Sequence, residues 1–131
     1  SYNGANYDFT LVRYNTNGSL DTSFDTDGKV TTPVGGGGDN ATGIALQSDG
    51  KILVAGYSYN SANIAEFALV RYNTNGSLDT SFNADGIVTT SVDAGRDVAT
   101  GIALQSDGKI LVAGYSNTGD NDDFALVRYT P

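Results

Sequence analysis

Apolar residues in this chain come in short runs, each closed by a cluster of Gly, Asn, Asp, Ser or Thr. Ala99 to Gln105 (ATGIALQ) and Lys109 to Ser116 (KILVAGYS) flank Ser106-Asp107-Gly108. An Asp-Gly pair between two apolar runs predicts a β-hairpin, since Gly tolerates the positive φ of a type I′ turn. Asp49-Gly50 repeats the signal. Another strand is predicted at Phe67 to Tyr72 (FALVRY), followed by a loop from Asn73 to Phe82 that carries Asn75-Gly76. A fourth is predicted at Gly86 to Val92. Strand side chains alternate between faces. Phe67, Leu69 and Arg71 therefore point one way, and Ala68, Val70 and Tyr72 the other. Ile110 and Val112 likewise oppose Leu111 and Ala113. Strands apolar on both faces need a sheet in front and another behind.

The pattern is written twice. The 50-residue stretch from Phe9 to Ser58 aligns without a gap on Phe67 to Ser116, an offset of 58. Nine pairs differ: Thr10/Ala68, Asp25/Asn83, Thr26/Ala84, Lys29/Ile87, Pro33/Ser91, Gly35/Asp93, Gly36/Ala94, Gly38/Arg96 and Asn40/Val98. A third copy opens at Phe124. The chain reads as one repeat module over 1–131, with repeat 1 at about 9–66, repeat 2 at about 67–123 and a partial repeat at 124–131. With ATGIALQ named strand A, the order is C, D, A, B, C, D, A, B, C, or two four-stranded units plus one strand. Such a period marks one supersecondary unit per repeat, each needing a neighbour to cover its apolar faces. The expected fold is all-β, built of tandem four-stranded antiparallel blades in the manner of a β-propeller, with a two-layer β-sandwich as the alternative. More than half of the residues are expected in strands and essentially none in helix, because no segment has a 3.6-residue period.

Composition narrows the chemistry. The 131 residues include 17 Gly, one Glu (Glu66), and no Cys, His, Trp or Met. Without His or Cys, the Ser-His-Asp and Cys-His constellations cannot be built. A net charge of −8 opposes nucleic acid and anionic lipid, so neither is an expected partner. No stretch approaches the roughly 20 apolar residues of a membrane helix. The Asp-rich surface suits an extracellular or cell-surface protein. A chain that opens at Ser1 and contains no Met looks processed or excised from something longer.

The run DFALVRYNTNGSLDTSF, then DG-x-VTT and ATGIALQSDGKILVAGYS, resembles the bacterial delta-60 repeat, the DUF5122 β-propeller family, over Asp8 to Tyr129. The resemblance implies a four-stranded blade, tandem arrays and large secreted or surface proteins. That family has no assigned enzymatic activity and offers no catalytic residues to carry over.

Several residue groups invite a functional reading. Asn15, Asn17 and Asp21, then Asp25 and Asp27, place oxygen atoms at alternate positions around Gly turns, as calcium loops do. Asn73, Asn75 and Asp79, then Asn83 and Asp85, repeat them. The favoured competitor is a set of Asx turns bonding their own backbone. Calcium is thus the one ion suggested, and no cofactor is expected. Gly35-Gly36-Gly37-Gly38 lacks the Lys and helix of a phosphate loop. Arg13, Arg71 and Arg128 recur on the Phe-Leu face and are expected to pair with Asp, at Asp21 or Asp79. Tyr57, Tyr59 and Tyr115 lie at or beyond strand ends, where a sugar could stack or where they could simply pack.

The expected function is a non-enzymatic extracellular structural or adhesive module. It is expected to assemble head to tail, as a ring or filament, by strand complementation between chains or repeats. Its partners are then copies of itself or neighbouring repeats. The alternative is a multivalent carbohydrate-binding propeller with glycan partners. The assembly strands are the duplicated C strands, carrying Phe9, Leu11 and Arg13 and again Phe124, Leu126 and Arg128. One copy is expected to be donated beside a neighbour's D strand, around Gly28 to Val34 or Gly86 to Val92. Removing 124–131 is then expected to yield smaller species.

Overall fold

The computed structural model describes residues 1–131 and contains nine strands and no helix. They are β1 Phe9–Val12, β2 Lys29–Thr32, β3 Asp39–Leu46, β4 Ile52–Tyr59, β5 Ala65–Tyr72, β6 Ile87–Thr90, β7 Arg96–Leu104, β8 Ile110–Asn117 and β9 Asp122–Tyr129. Their order is the C, D, A, B, C, D, A, B, C of the sequence. They form three antiparallel sheets, β1-β2, β3-β4-β5-β6 and β7-β8-β9. The middle sheet is a complete A-B-C-D blade. The chain passes from each sheet to the next, giving successive blades rather than two facing layers of a sandwich. Strands take slightly under half of the chain, not more than half, because the D strands β2 and β6 stop at Thr32 and Thr90.

The sequence repeat and the blade are out of phase. Repeat 2 supplies β5 and β6 to the middle sheet and β7 and β8 to the next, so every repeat ties two blades together covalently. The A–B hairpins also differ from expectation. Asp49 keeps an ordinary φ, and Gly50 alone is left-handed at φ 84. The Gly50 amide donates to Gln47 O, and the Gln47 amide to Lys51 O. This is a three-residue type I turn closed by a left-handed Gly, not a type I′ turn. Gly108 repeats it at φ 84.

The middle strands are buried on both faces, as their sequences require. Phe67 and Leu69 of β5 join Leu53 and Ala55 of β4 in a core shared with Ile110, Val112 and Ala125 of the third sheet. Ala68, Val70 and Tyr72 join Ile52 and Val54 in a second core, shared with Phe9 of the first sheet. One loop aromatic closes each seam: Phe82 in the first core and Phe24 in the second. Matching hydroxyl bonds cross the seams. Tyr72 donates to Thr32 Oγ1 at 2.7 Å and Tyr129 to Thr90 Oγ1 at 2.8 Å.

Sheet faces that lack a covering neighbour are exposed. Ile44 and Leu46 of β3, beside the short β1-β2 sheet, are 56% and 68% exposed. Phe124 and Leu126 of β9 are 104% and 66% exposed. Each D strand holds its own C strand on one edge, β1 on β2 and β5 on β6, and lies at the margin of its sheet on the other.

Phe82→Ala should cost about 3–4 kcal/mol, because it opens a cavity in the core shared by two sheets. Tyr72→Phe should cost about 1 kcal/mol by leaving buried Thr32 without its donor. Urea unfolding read by circular dichroism checks both. Equal, negligible shifts would show that the seams are not the stabilising contacts.

Candidate functional site

The C–D loops, 13–28 and 71–86, carry most of the predicted site residues. Each loop is fixed by an ionic clasp whose members lie eight residues apart. Arg13 Nε donates to Asp21 Oδ2 at 2.8 Å, and Arg71 Nε to Asp79 Oδ2 at 2.8 Å. Asp21 Oδ1 accepts from the Ser23 amide and hydroxyl, and Asp79 Oδ1 from those of Ser81. Each guanidinium also sits over the seam aromatic, Arg13 over Phe24 at 4.6 Å and Arg71 over Phe82 at 4.5 Å. The expected Arg–Asp pairing is thus present, with the carboxylate buttressed by Ser.

The two clasps differ in depth. Arg71 and Asp79 side chains are 7% exposed, whereas Arg13 and Asp21 are 35% and 23%. The complete blade adds Lys51 from its A–B hairpin, with Nζ 2.9 Å from Asp79 Oδ2. The Ser81 hydroxyl bond is the largest influence on the Asp79 carboxyl. Burial opposes it, but Lys51, the Ser81 amide and Arg71 add to it and hold the carboxyl well below its usual range. Asp21 is lowered in the same way, first by Ser23.

Six of the calcium candidates, Asn17, Asp21, Asp27, Asn75, Asp79 and Asp85, are engaged in Asx turns. Asn17 Oδ1 accepts from the Ser19 amide and hydroxyl, and Asn75 Oδ1 from those of Ser77. Asp27 Oδ1 accepts from the Lys29 amide, and Asp85 Oδ1 from the Ile87 amide. Asn15 and Asn73 turn their amide nitrogens onto Leu20 O and Leu78 O, and Asn83 onto Ile87 O. The Asp25 amide donates to Asn75 O, joining the loops of adjacent blades, as does Arg13 Nη1 to Thr74 O at 2.6 Å. No group of three acidic, His or Cys side chains could hold a metal ion.

The opposite end of the blades holds a second constellation, brought together by folding from positions far apart in sequence. Tyr57 and Tyr59 end β4, Tyr115 lies on β8, and Arg96 opens β7 between them. Its guanidinium is 5.8 Å from the Tyr57 ring centre. Tyr57 and Tyr59 meet edge to face at 6.0 Å. Burial pulls the Arg96 pKa down, but the phenol oxygens of Tyr115, Tyr59 and Tyr57 outweigh it and raise it. Arg96 is exposed and has no carboxylate within ion-pair distance, a state shared only with Arg128 among the Lys and Arg side chains.

Sequence reasoning missed Arg96 because its repeat counterpart is Gly38. It also missed buried Asp39 and Asp97. Asp39 accepts from the Val34 amide at 2.7 Å and the Ser58 hydroxyl at 2.6 Å, and Asp97 from the Val92 amide at 2.7 Å. A signal was present: both repeats keep this Asp at the start of strand A, beside a D–A loop where most positions differ.

A family model described as a domain of unknown function (DUF5122) beta-propeller matches residues 1–24, 47–82 and 105–131. No curated protein matches the chain.

Two outcomes follow from the clasp. Asp79→Asn should cost about 3 kcal/mol at neutral pH, by stranding a buried guanidinium, and Asp21→Asn should cost less. A carboxyl lowered in the folded state stabilises above its unfolded pKa of about 3.9, and that stability is lost as pH falls through the folded value. The gap between wild type and Asp79→Asn should therefore narrow below about pH 4, which thermal melts across pH will check. Because Asn17, Asp21, Asp27, Asn75, Asp79 and Asp85 already turn a side-chain oxygen onto a backbone amide, a chelator should leave Tm unchanged. A fall of about ten degrees would establish the calcium reading instead.

Proposed function

The chain belongs to the DUF5122 beta-propeller family, and from that premise we propose that it is a non-enzymatic structural or adhesive module. It assembles head to tail, with copies of itself or neighbouring repeats, into a ring or a filament. The observation that carries this reading is the equivalence of the two internal seams. The Phe24 and Phe82 anchors, the Tyr–Thr bonds and the Arg–aromatic contacts recur one repeat apart. An interface that one repeat makes with the next is available to any further copy. The two sides of such a contact differ, so it propagates in one direction until it closes or extends. The large apolar side chains most open to water on the sheet faces, Ile44, Leu46, Phe124 and Leu126, mark the two ends of that direction. A sequence without His or Cys supports the non-enzymatic assignment. The acidic surface accords with an extracellular or cell-surface setting.

A carbohydrate-binding propeller is the second reading, favoured by the Arg96, Tyr57, Tyr59 and Tyr115 cluster. Tyrosine faces take the apolar side of a pyranose, and an unpaired guanidinium takes a carboxylated sugar.

Sedimentation of residues 1–131 across a concentration series should show species at multiples of 13.6 kDa, and electron microscopy should show rings or fibres. A monomer persisting at high concentration would overturn the assembly reading. Titration with acidic oligosaccharides tests the second reading. Binding lost in Arg96→Gly, the residue found in the other repeat, would support it, and no binding to wild type would end it.

A further inference from the structure

This inference rests on the assembly reading and specifies the surface through which assembly runs. We infer that the open side of the β7-β8 hairpin in one copy packs on β3 of a second copy and pairs with its β1. The strands β7 and β8 of one chain then form one four-stranded blade with β1 and β2 of the next.

The structure contains the template for this contact and shows where it is missing. Ile102 and Leu104 of β7 are half-buried, packed on the core that Leu53 and Ala55 of the preceding blade help to form. Their counterparts Ile44 and Leu46 are exposed, because β1-β2 brings no A or B strand to cover them. The reverse side of the contact behaves the same way. A Cβ built on Gly43 would meet Ile102 Cγ2 at 3.1 Å, whereas one on Gly101 would meet nothing within 4 Å. Gly101 is therefore where Ile44 of the next copy fits.

The polar contact follows the same logic. Thr42, the extra residue at the β3 bulge, donates across the seam to Ala99 O at 2.7 Å. Thr100, at the β7 bulge, bonds only Ala113 O of its own sheet. The counterpart acceptor is Ala41 O of the next copy. A shallow cleft beside β1, lined by Leu11, Ala41, Gly43, Ile44 and Val54, faces the space a hairpin would fill. Its complement on the third sheet is lined by Gly101, Ile102, Leu111, Ala113 and Leu126.

One strand stands in the way. In this chain β9 pairs with β8, setting Tyr129 opposite Ile110 and Phe124 opposite Tyr115. Both β1 and β9 belong to Phe-x-Leu-Val-Arg-Tyr segments, so Tyr14 and Phe9 of the next copy would take the same places. The composite blade forms by exchange of one such strand for the other, and Leu11 then replaces Leu126 beside Ala113.

Two variants test the surface by sedimentation, with circular dichroism confirming strand content. Gly101→Val points into open space in the lone chain, so it should fold and remain at 13.6 kDa. Ile44→Asp, at a position 56% exposed in the lone chain, tests the opposite side and should also remain monomeric. Deletion of 124–131 removes the competing strand and should leave assembly intact or enhanced, the reverse of the expectation from sequence. Assembly of both point variants at wild-type concentration would overturn this surface while leaving the self-assembly reading in place. A folded, monomeric truncation beside an assembling full chain would do the same. If the full chain stays a monomer at high concentration, the assembly reading itself falls.

Discussion

The constraint on which the structure depends is that its middle strands are apolar on both faces. The β5 strand presents Phe67 and Leu69 to one side and Val70 and Tyr72 to the other, all fully buried. At roughly 25 cal/mol per Å² of apolar surface, neither face can be left in water without losing several kcal/mol. A blade of this kind has no free-standing form. The middle strands β4 and β5 are covered because they have neighbours on both sides, whereas β3 exposes Ile44 and Leu46 beside the short β1-β2 sheet and β9 exposes Phe124 and Leu126 where a neighbour is lacking.

The ionic clasps serve that packing rather than chemistry. A buried guanidinium is costly unless it is paired and its remaining donors are satisfied. Arg71 meets the condition through Asp79 and Ser81, and it also covers the ring of Phe82. The clasp thus fixes the long C–D loop at the position where its aromatic enters the seam. Lys51 makes the clasp depend on a whole blade, since it comes from the A–B hairpin. In the β1-β2 sheet, which lacks that hairpin, the Arg13–Asp21 pair is more exposed.

Strand order, the two-faced alternation and the Arg–Asp pairs were legible in the sequence because each depends on residues close together in the chain. The hairpin type was not, because Asp-Gly is compatible with both a type I′ turn and a type I turn closed by Gly, and Asp49 decides between them only by its own φ. The Tyr57, Tyr59, Tyr115 and Arg96 cluster was legible only as separate tyrosines. Two of its members come from one blade and two from the next, and no local pattern relates them. The calcium motif shows the opposite failure. Alternating oxygens around Gly describe a metal loop and a run of Asx turns equally well, and only the direction of each oxygen distinguishes them. Here Asn17, Asp27, Asn75 and Asp85 turn theirs onto amides two residues ahead.

Near-identical repeats create a problem of identity, since β1, β5 and β9 offer almost the same strand to any B-strand edge. Sequence within the strands does little to separate them, as only Thr10 differs from Ala68 and Ala125 in the shared run. Chain connectivity does more, because the short B–C loops place β5 on β4 and β9 on β8 before any strand from another molecule arrives. The D–A loop is where the repeats diverge most, with Gly35 to Gly38 against Asp93 to Arg96. That divergence lies beside buried Asp39 and Asp97, which hold the turn in both copies through the amides of Val34 and Val92. The scaffold of the turn is constant, and the side chains displayed on it vary. Such a division lets one seam carry Arg96 among tyrosines while its counterpart carries only glycine, with no change in how the blades pack.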